Sequence, residues 1–250
     1  MSTAELRDFF EERLAEIESY LALLQAVEDA ANSGPPKIAD SKISITAAQQ
    51  RILYSSVYLQ LYNLVEATIS RCIEAVSDAA VSHTDSWQAA DLNESLRREW
   101  VRAIARTHTE LSPDHRLDSA VAMCGHLIAQ LPIRELKIDI GGGGNWDDEQ
   151  IEKIGARVGC QLRFSPAVRA GVKRPERDDM GAMKLIKNRR NNLAHGNISF
   201  VECADGVAVV DLRRITDAVA SYLREAIGCF ASYIDIFDFL LPDRKPSDVA

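Results

Sequence analysis

Between about Thr46 and Asp78 the apolar residues Leu53, Val57, Leu61, Leu64, Val65, Ile69 and Ile73 recur at spacings of three and four. That period is helical, and an apolar face this broad and long has to be covered by several neighbouring helices. Residues 3–31 repeat the pattern with Phe10, Leu14, Ile17, Leu21, Leu24 and Val27, until "NSGPPK" stops it with two prolines that cannot continue the ladder. Further helical runs cover about 92–109, 115–130 and 211–240. The segment "LKIDI" alternates as a strand does, and Gly141–Gly144 breaks it. With no GK[ST] after it and aspartates opening the next helix, the glycine run reads as a turn rather than a phosphate cradle. Asn145 is the expected N-cap of "WDDEQIEKIGARV", with Gly159 closing that helix. Residues 163–177 read as a basic loop. A helix then starts near Asp178 or Asp179 and stops at His195-Gly196. "NISFVE" and "VAVVDL" around Asp205-Gly206 predict a short β-hairpin near 198–210. The expectation is an all-α protein with one helical domain over 1–240 and a disordered tail at 241–250.

Composition agrees with a globular chain, 46% hydrophobic and 26% charged. No apolar run approaches the ~18–20 residues of a membrane span. The acidic, amphipathic start "MSTAELRDFF" resembles neither a signal nor a transit peptide, so a cytoplasmic protein without membrane contact is expected. Cys72, Cys124, Cys160, Cys203 and Cys229 are scattered and form no CxxC pair, which predicts reduced, mostly buried thiols and no metal or other cofactor. The net charge of −8 argues against a surface-wide nucleic-acid coat, but residues 163–190 hold nine basic and three acidic side chains. This local +6 can bind a polyanion on an otherwise acidic body. Lys173, Arg174, Lys184, Lys187, Arg189 and Asn192 are the candidate RNA contacts.

The segment "KNRRNNLAHGN", Lys187–Asn197, places three asparagines in a helix that gains nothing locally from them, since each costs up to about 0.7 kcal/mol relative to alanine. Short polar arms lining a site would account for their presence. His195 can serve as general acid or base, and Arg190 offers a fixed positive fork for a phosphate. Asn191, four residues before His195, is placed to orient the imidazole or touch a substrate. Arg190 stands five residues before, about 140° round the helix. Either the helix unwinds at Ala194-His195, or the groups converge from two copies in a symmetric dimer. The chemistry fitting these groups is cleavage of an RNA phosphodiester by its own 2′-hydroxyl. The alternative for His195 is a histidine interacting with the last helix carbonyls. Tyr54, Tyr58 and Tyr62, at i, i+4 and i+8, read as helix packing in preference to base stacking.

The run R-N-N-L-A-H followed by "GNISF" resembles the R-x4–6-H motif of the HEPN superfamily. Together with "LYNLVEATI" (Leu61–Ile69) and "GGNWD" (Gly143–Asp147) it resembles the MAE-type HEPN group, over roughly residues 5–240. The resemblance implies a helical bundle that forms a homodimer with the motif at its two-fold interface. It also implies a metal-independent endoribonuclease, of the kind found in toxin–antitoxin, phage-defence and RNA-processing systems, with an antitoxin or regulatory protein as possible partner. The alternative is a catalytically inactive HEPN module binding a nucleotide or a protein. By position, Arg190 and His195 match the motif's ends and Asn191 its polar position. Glu66 either orients one of them or partners another buried arginine. Asn63 is a weaker candidate from the same helix.

Overall fold

The computed structural model describes residues 2–37, 43–81, 87–105, 112–140 and 145–246. Its elements are α1 (Thr3–Ala31), α2 (Ala47–Val81), α3 (Glu94–Ala105), α4 (Pro113–Ile128), α5 (Asp148–Val158), α6 (Pro166–Lys173), α7 (Ala182–Ala194), α8 (Phe200–Cys203) and α9 (Val209–Asp235). The all-α helical bundle expected from the sequence is what the chain forms.

The frame is a trio of long helices, α1, α2 and α9, packed on one another. Every apolar residue singled out in α1 is buried, and α2 buries residues on most of its circumference. The broad face predicted there is needed because α1, α7, α8 and α9 all lean on it. Leu61, Val65 and Ile69 of α2 are fully excluded from water, each stabilising the fold by about 2 kcal/mol. Tyr54, Tyr58 and Tyr62 are buried too, so the tyrosine stripe is packing. Glu28 of α1 ties the trio at one end. Its carboxylate accepts from the Tyr54 hydroxyl at 2.8 Å and from the Val209 amide at 3.0 Å, one of the otherwise unpaired N–H groups opening α9. α3 packs on α4 and α5 and buries Trp100, whereas α4 buries none of its side chains.

Several local expectations are corrected. In place of the hairpin near 198–210 stand α8, a turn and the start of α9. Ser199 and Glu202 form a capping box that starts α8, and Asp205-Gly206 turns the chain into α9 instead of between strands. Residues 136–140 form no strand, and the described residues contain isolated bridges only. The basic loop of 163–177 contains α6, begun by a Ser165 cap and Pro166, a pair suited to a helix start. α5 is capped by Asp147, whose carboxylate accepts from the Gln150 amide, so the expected Asn145 cap is displaced by two residues. α7 begins at Ala182, not at Asp178 or Asp179, because those two hold left-handed backbone (φ 52° and 55°) in a turn. Gly181 follows that turn so close to α6 that a Cβ there would lie 2.3 Å from the Val172 carbonyl. The expected disordered tail includes a 3-10 turn at Pro242–Arg244, with Arg244 paired to Asp91. The turn at Gly141–Gly144 and residues 247–250 lie outside the described residues.

The five cysteines are unpaired. Cys72, Cys160 and Cys203 are buried, Cys229 is half-buried and Cys124 is exposed. Burial pushes the Cys160 thiol up to about 12. No helix among the described residues is long and apolar enough to cross a membrane.

Candidate active site

α7 ends in a Schellman motif. The Gly196 amide bonds the Leu193 carbonyl at 3.2 Å, and the Asn197 amide bonds the Asn192 carbonyl at 2.8 Å. Gly196 supplies the left-handed residue this stop requires (φ 69°). His195 is the C-cap, its own amide bonded to the Asn191 carbonyl at 3.0 Å, so its backbone is fixed from both sides. Its side chain is exposed and has no partner among the described residues. The helix stays wound up to Ala194, which keeps Arg190 and His195 about 140° apart. Of the two routes to convergence, unwinding within the chain is not taken.

Arg190 lies half-buried with its guanidinium 4.8 Å above the Tyr62 ring, a cation–π arrangement, and donates to the Asn191 side-chain oxygen at 3.0 Å. It has no carboxylate partner among the described residues. The Tyr62 hydroxyl accepts from the Trp146 amide at 3.3 Å, joining α2 to the entry of α5. Burial pushes the Tyr62 hydroxyl above its usual range. The Trp146 amide and Arg190 oppose that shift, while Glu66 and Asp147 add to it. Glu66 is therefore within electrostatic reach of this point, one helical turn after Tyr62, and it makes no ion pair among the described residues. Asn191 donates to the Asn145 side chain at 3.3 Å. Asn63 lines a groove between α1 and α2 instead, on another face of the helix.

The asparagines partly hold one another. Asn192 donates to the Asn188 side chain at 3.0 Å, and Asn197 donates to Asn192 at 3.2 Å. This amide ladder runs along one ridge of α7 and reinforces its stop, so lining a site is not the sole use of these residues.

A model of the MAE_28990-like HEPN family matches residues 2–239. The chain belongs to this HEPN family. No curated protein and no solved structure matches it.

The basic set of this HEPN protein divides in two. Lys187 is paired with Asp147, Lys173 with Asp148 and Arg189 with Asp178, and Arg189 keeps only 13% of its side chain exposed. Burial raises the Asp147 carboxyl, but the Lys187 ammonium and the Gln150 amide outweigh it and hold the group below its ordinary value of 3.8. Lys184 and Arg174 are exposed without such a partner among the described residues, and Asn192 is half-buried inside the ladder. The described residues contain no group of His, Cys, Asp or Glu arranged to hold a metal ion.

Sequence reasoning did not single out Tyr62 as the bed of Arg190, or Asp147 as the anchor of Lys187. The signal for the first was present, since Tyr62 precedes Glu66 by four residues in the "LYNLVEATI" helix. The second pairs residues forty apart, which no local pattern reveals.

Proposed function

We propose that this protein is an endoribonuclease that cuts RNA by attack of the 2′-hydroxyl on the adjacent phosphorus, without need of a metal ion. A homodimer brings two α7 ends together at its two-fold axis. In the resulting cleft, His195 of one copy accepts the 2′-hydroxyl proton as O2′ bonds to phosphorus. The guanidinium of Arg190 from the other copy balances the charge of the phosphorane. The bond from phosphorus to the 5′-oxygen then breaks, and an acid in the cleft gives that oxygen a proton. The products carry a 2′,3′-cyclic phosphate and a 5′-hydroxyl. Asn191 positions Arg190 through its side-chain oxygen, and Glu66 acts through its charge on Tyr62, the ring beneath Arg190, while Lys184 and Arg174 contact the RNA backbone. A toxin or phage-defence effector is the biological role this chemistry fits, restrained by an antitoxin or a regulatory protein in the cytoplasm.

The observation that carries the reading is the state of His195: rigid in backbone, open in side chain, and separated by angle from an arginine that no carboxylate among the described residues neutralises. The test is incubation with RNA in EDTA, followed by analysis of the fragment ends. Cyclic phosphate ends are expected from the wild type, and His195→Ala is expected to lower the rate by about 10³ with folding unchanged. Cleavage that survives His195→Ala unchanged contradicts the mechanism.

A further inference from the structure

α4 is held to the body along one side. It packs chiefly on α3, where the His126 ring lies against Trp100 with centroids 5.2 Å apart, and Ser119, Ala120 and Met123 are half-buried. Leu117, nine residues before His126, stands about 180° round the helix from it. From Leu117 onward, Val121, Cys124 and Ile128 follow at spacings of four, three and four, which sets all four in one stripe within about 60° of arc. Every member is exposed, Leu117 at 63%, Val121 at 62% and Ile128 at 83%. Apolar surface gathered like this marks a site of association, and the spacing is that of a seam where two helices interleave their side chains.

The stripe also says which helix covers it. Its spacing reads the same in both directions, so a second α4 running antiparallel fits it at every position. With a two-fold axis between residues 122 and 123, Leu117 faces Ile128 of the second copy and Val121 faces its Cys124. The charges choose the same arrangement. Asp114, Arg116 and Asp118 all lie in the first turns of α4, and no Asp, Glu, Lys or Arg occurs from 119 to 133. A parallel pair would set each aspartate beside its own counterpart. The antiparallel pair lays each charged end along an uncharged one and opposes the two helix dipoles favourably. Gly125 fits as well. A Cβ there would meet nothing within 4 Å, so the chain's own packing does not require a glycine inside this exposed helix. It borders the stripe on one side as Ala120 does on the other, and both let a second backbone come close.

We propose that α4 is a self-association surface, on which the stripe of Leu117, Val121, Cys124 and Ile128 packs antiparallel against the same stripe of a second copy. A helix pair of this length covers about 1,000 Å² in total, the lower limit for a specific contact, so the association is reversible and grows with concentration. This surface is not the α7 end that the nuclease reading pairs, and it does not rest on that reading. With both contacts made, dimers join into larger assemblies.

Two experiments on the full-length protein test it. In sedimentation equilibrium, the wild type is expected to show an association step that Val121→Glu and Ile128→Glu each weaken at least tenfold. Helicity and melting temperature are expected to stay unchanged, because both side chains are exposed in the single chain. In the second experiment, one protein carries Leu117→Cys with Cys124→Ser and another carries Ile128→Cys with Cys124→Ser. Disulfide formation under diamide is followed on non-reducing gels. Positions 117 and 128 meet only across an antiparallel seam, so the mixture is expected to cross-link at least tenfold faster than either protein alone. Cross-linking of each protein alone as fast as the mixture marks a parallel or random contact and overturns the proposal. Association that neither glutamate variant weakens overturns it too. So does a stripe covered only by a different protein, with no cross-link between copies.

Discussion

Arg189 and Arg190 are neighbours in α7, yet they sit in opposite circumstances. Arg189 is largely buried and held by Asp178, in the same way that Lys187 is held by Asp147 and Lys173 by Asp148. Arg190 rests on an aromatic face with no acid to neutralise it among the described residues, and the exposed His195 follows at the helix end. The two groups teach that a local charge of +6 is not one patch. Three of its nine basic side chains fasten α7 to the start of α5 and to the 177–180 turn, and α6 to α5, while Lys184 and Arg190 of α7 have no acid partner among the described residues.

Substitutions at the two neighbours give the sharpest contrast. Arg190→Ala is expected to lower turnover by about 10²–10³, the loss typical of one donor to a transition-state anion, with little change in thermal stability. Arg189→Ala is expected to lower the melting temperature and leave turnover of the folded protein close to normal. Equal effects from the two in an RNA-cleavage assay would erase the distinction.

Asp147 tests the fastened side. Asp147→Ala removes the N-cap of α5 and strands a mostly buried Lys187, at a cost of about 3 kcal/mol, or a melting temperature lower by about 9 °C. The sign of its pH dependence follows from its depressed folded pKa. The stabilisation is complete above the ordinary value of 3.8 and is lost as pH falls further through the folded value. Lys187→Met should therefore weaken the protein most above pH 3.8 and least in strong acid, where the pair is already lost in the wild type.

A smaller effect is expected from Gly196→Ala. The space around it is open, so only the left-handed backbone is strained, by about 1 kcal/mol in chemical denaturation. Smallest is the backbone contact at Lys184. Lys184→Ala should weaken RNA binding about threefold and flatten its salt dependence, and Lys173→Ala should do less because its charge is already answered.

The long helices were legible because their periodic apolar residues all ended in one core, and the α7 stop was legible because glycine is the usual left-handed residue there. The hairpin was misread because "NISFVE" and "VAVVDL" have strand-like composition, while Ser199, Glu202 and Asp211 supply helix starts that outweigh it. At the site, Arg190, Asn191 and His195 stood in one short segment and could be named from it. Which lysines and arginines were already neutralised depended on Asp147, Asp148 and Asp178, contacts that only folding brings together. The asparagine ladder was hidden for a related reason, since an amide that serves a site and one that serves a neighbour look alike in sequence.

The account stands on Arg190 and His195 acting across two copies, because the helix that carries both keeps them apart. Mixing His195→Ala protein with Arg190→Ala protein, each inactive alone, tests this directly after subunit exchange. Half of the dimers then combine one of each and regain one intact pair, so recovery of about a quarter of wild-type cleavage is predicted. Mixed dimers that form but cut no RNA would contradict it.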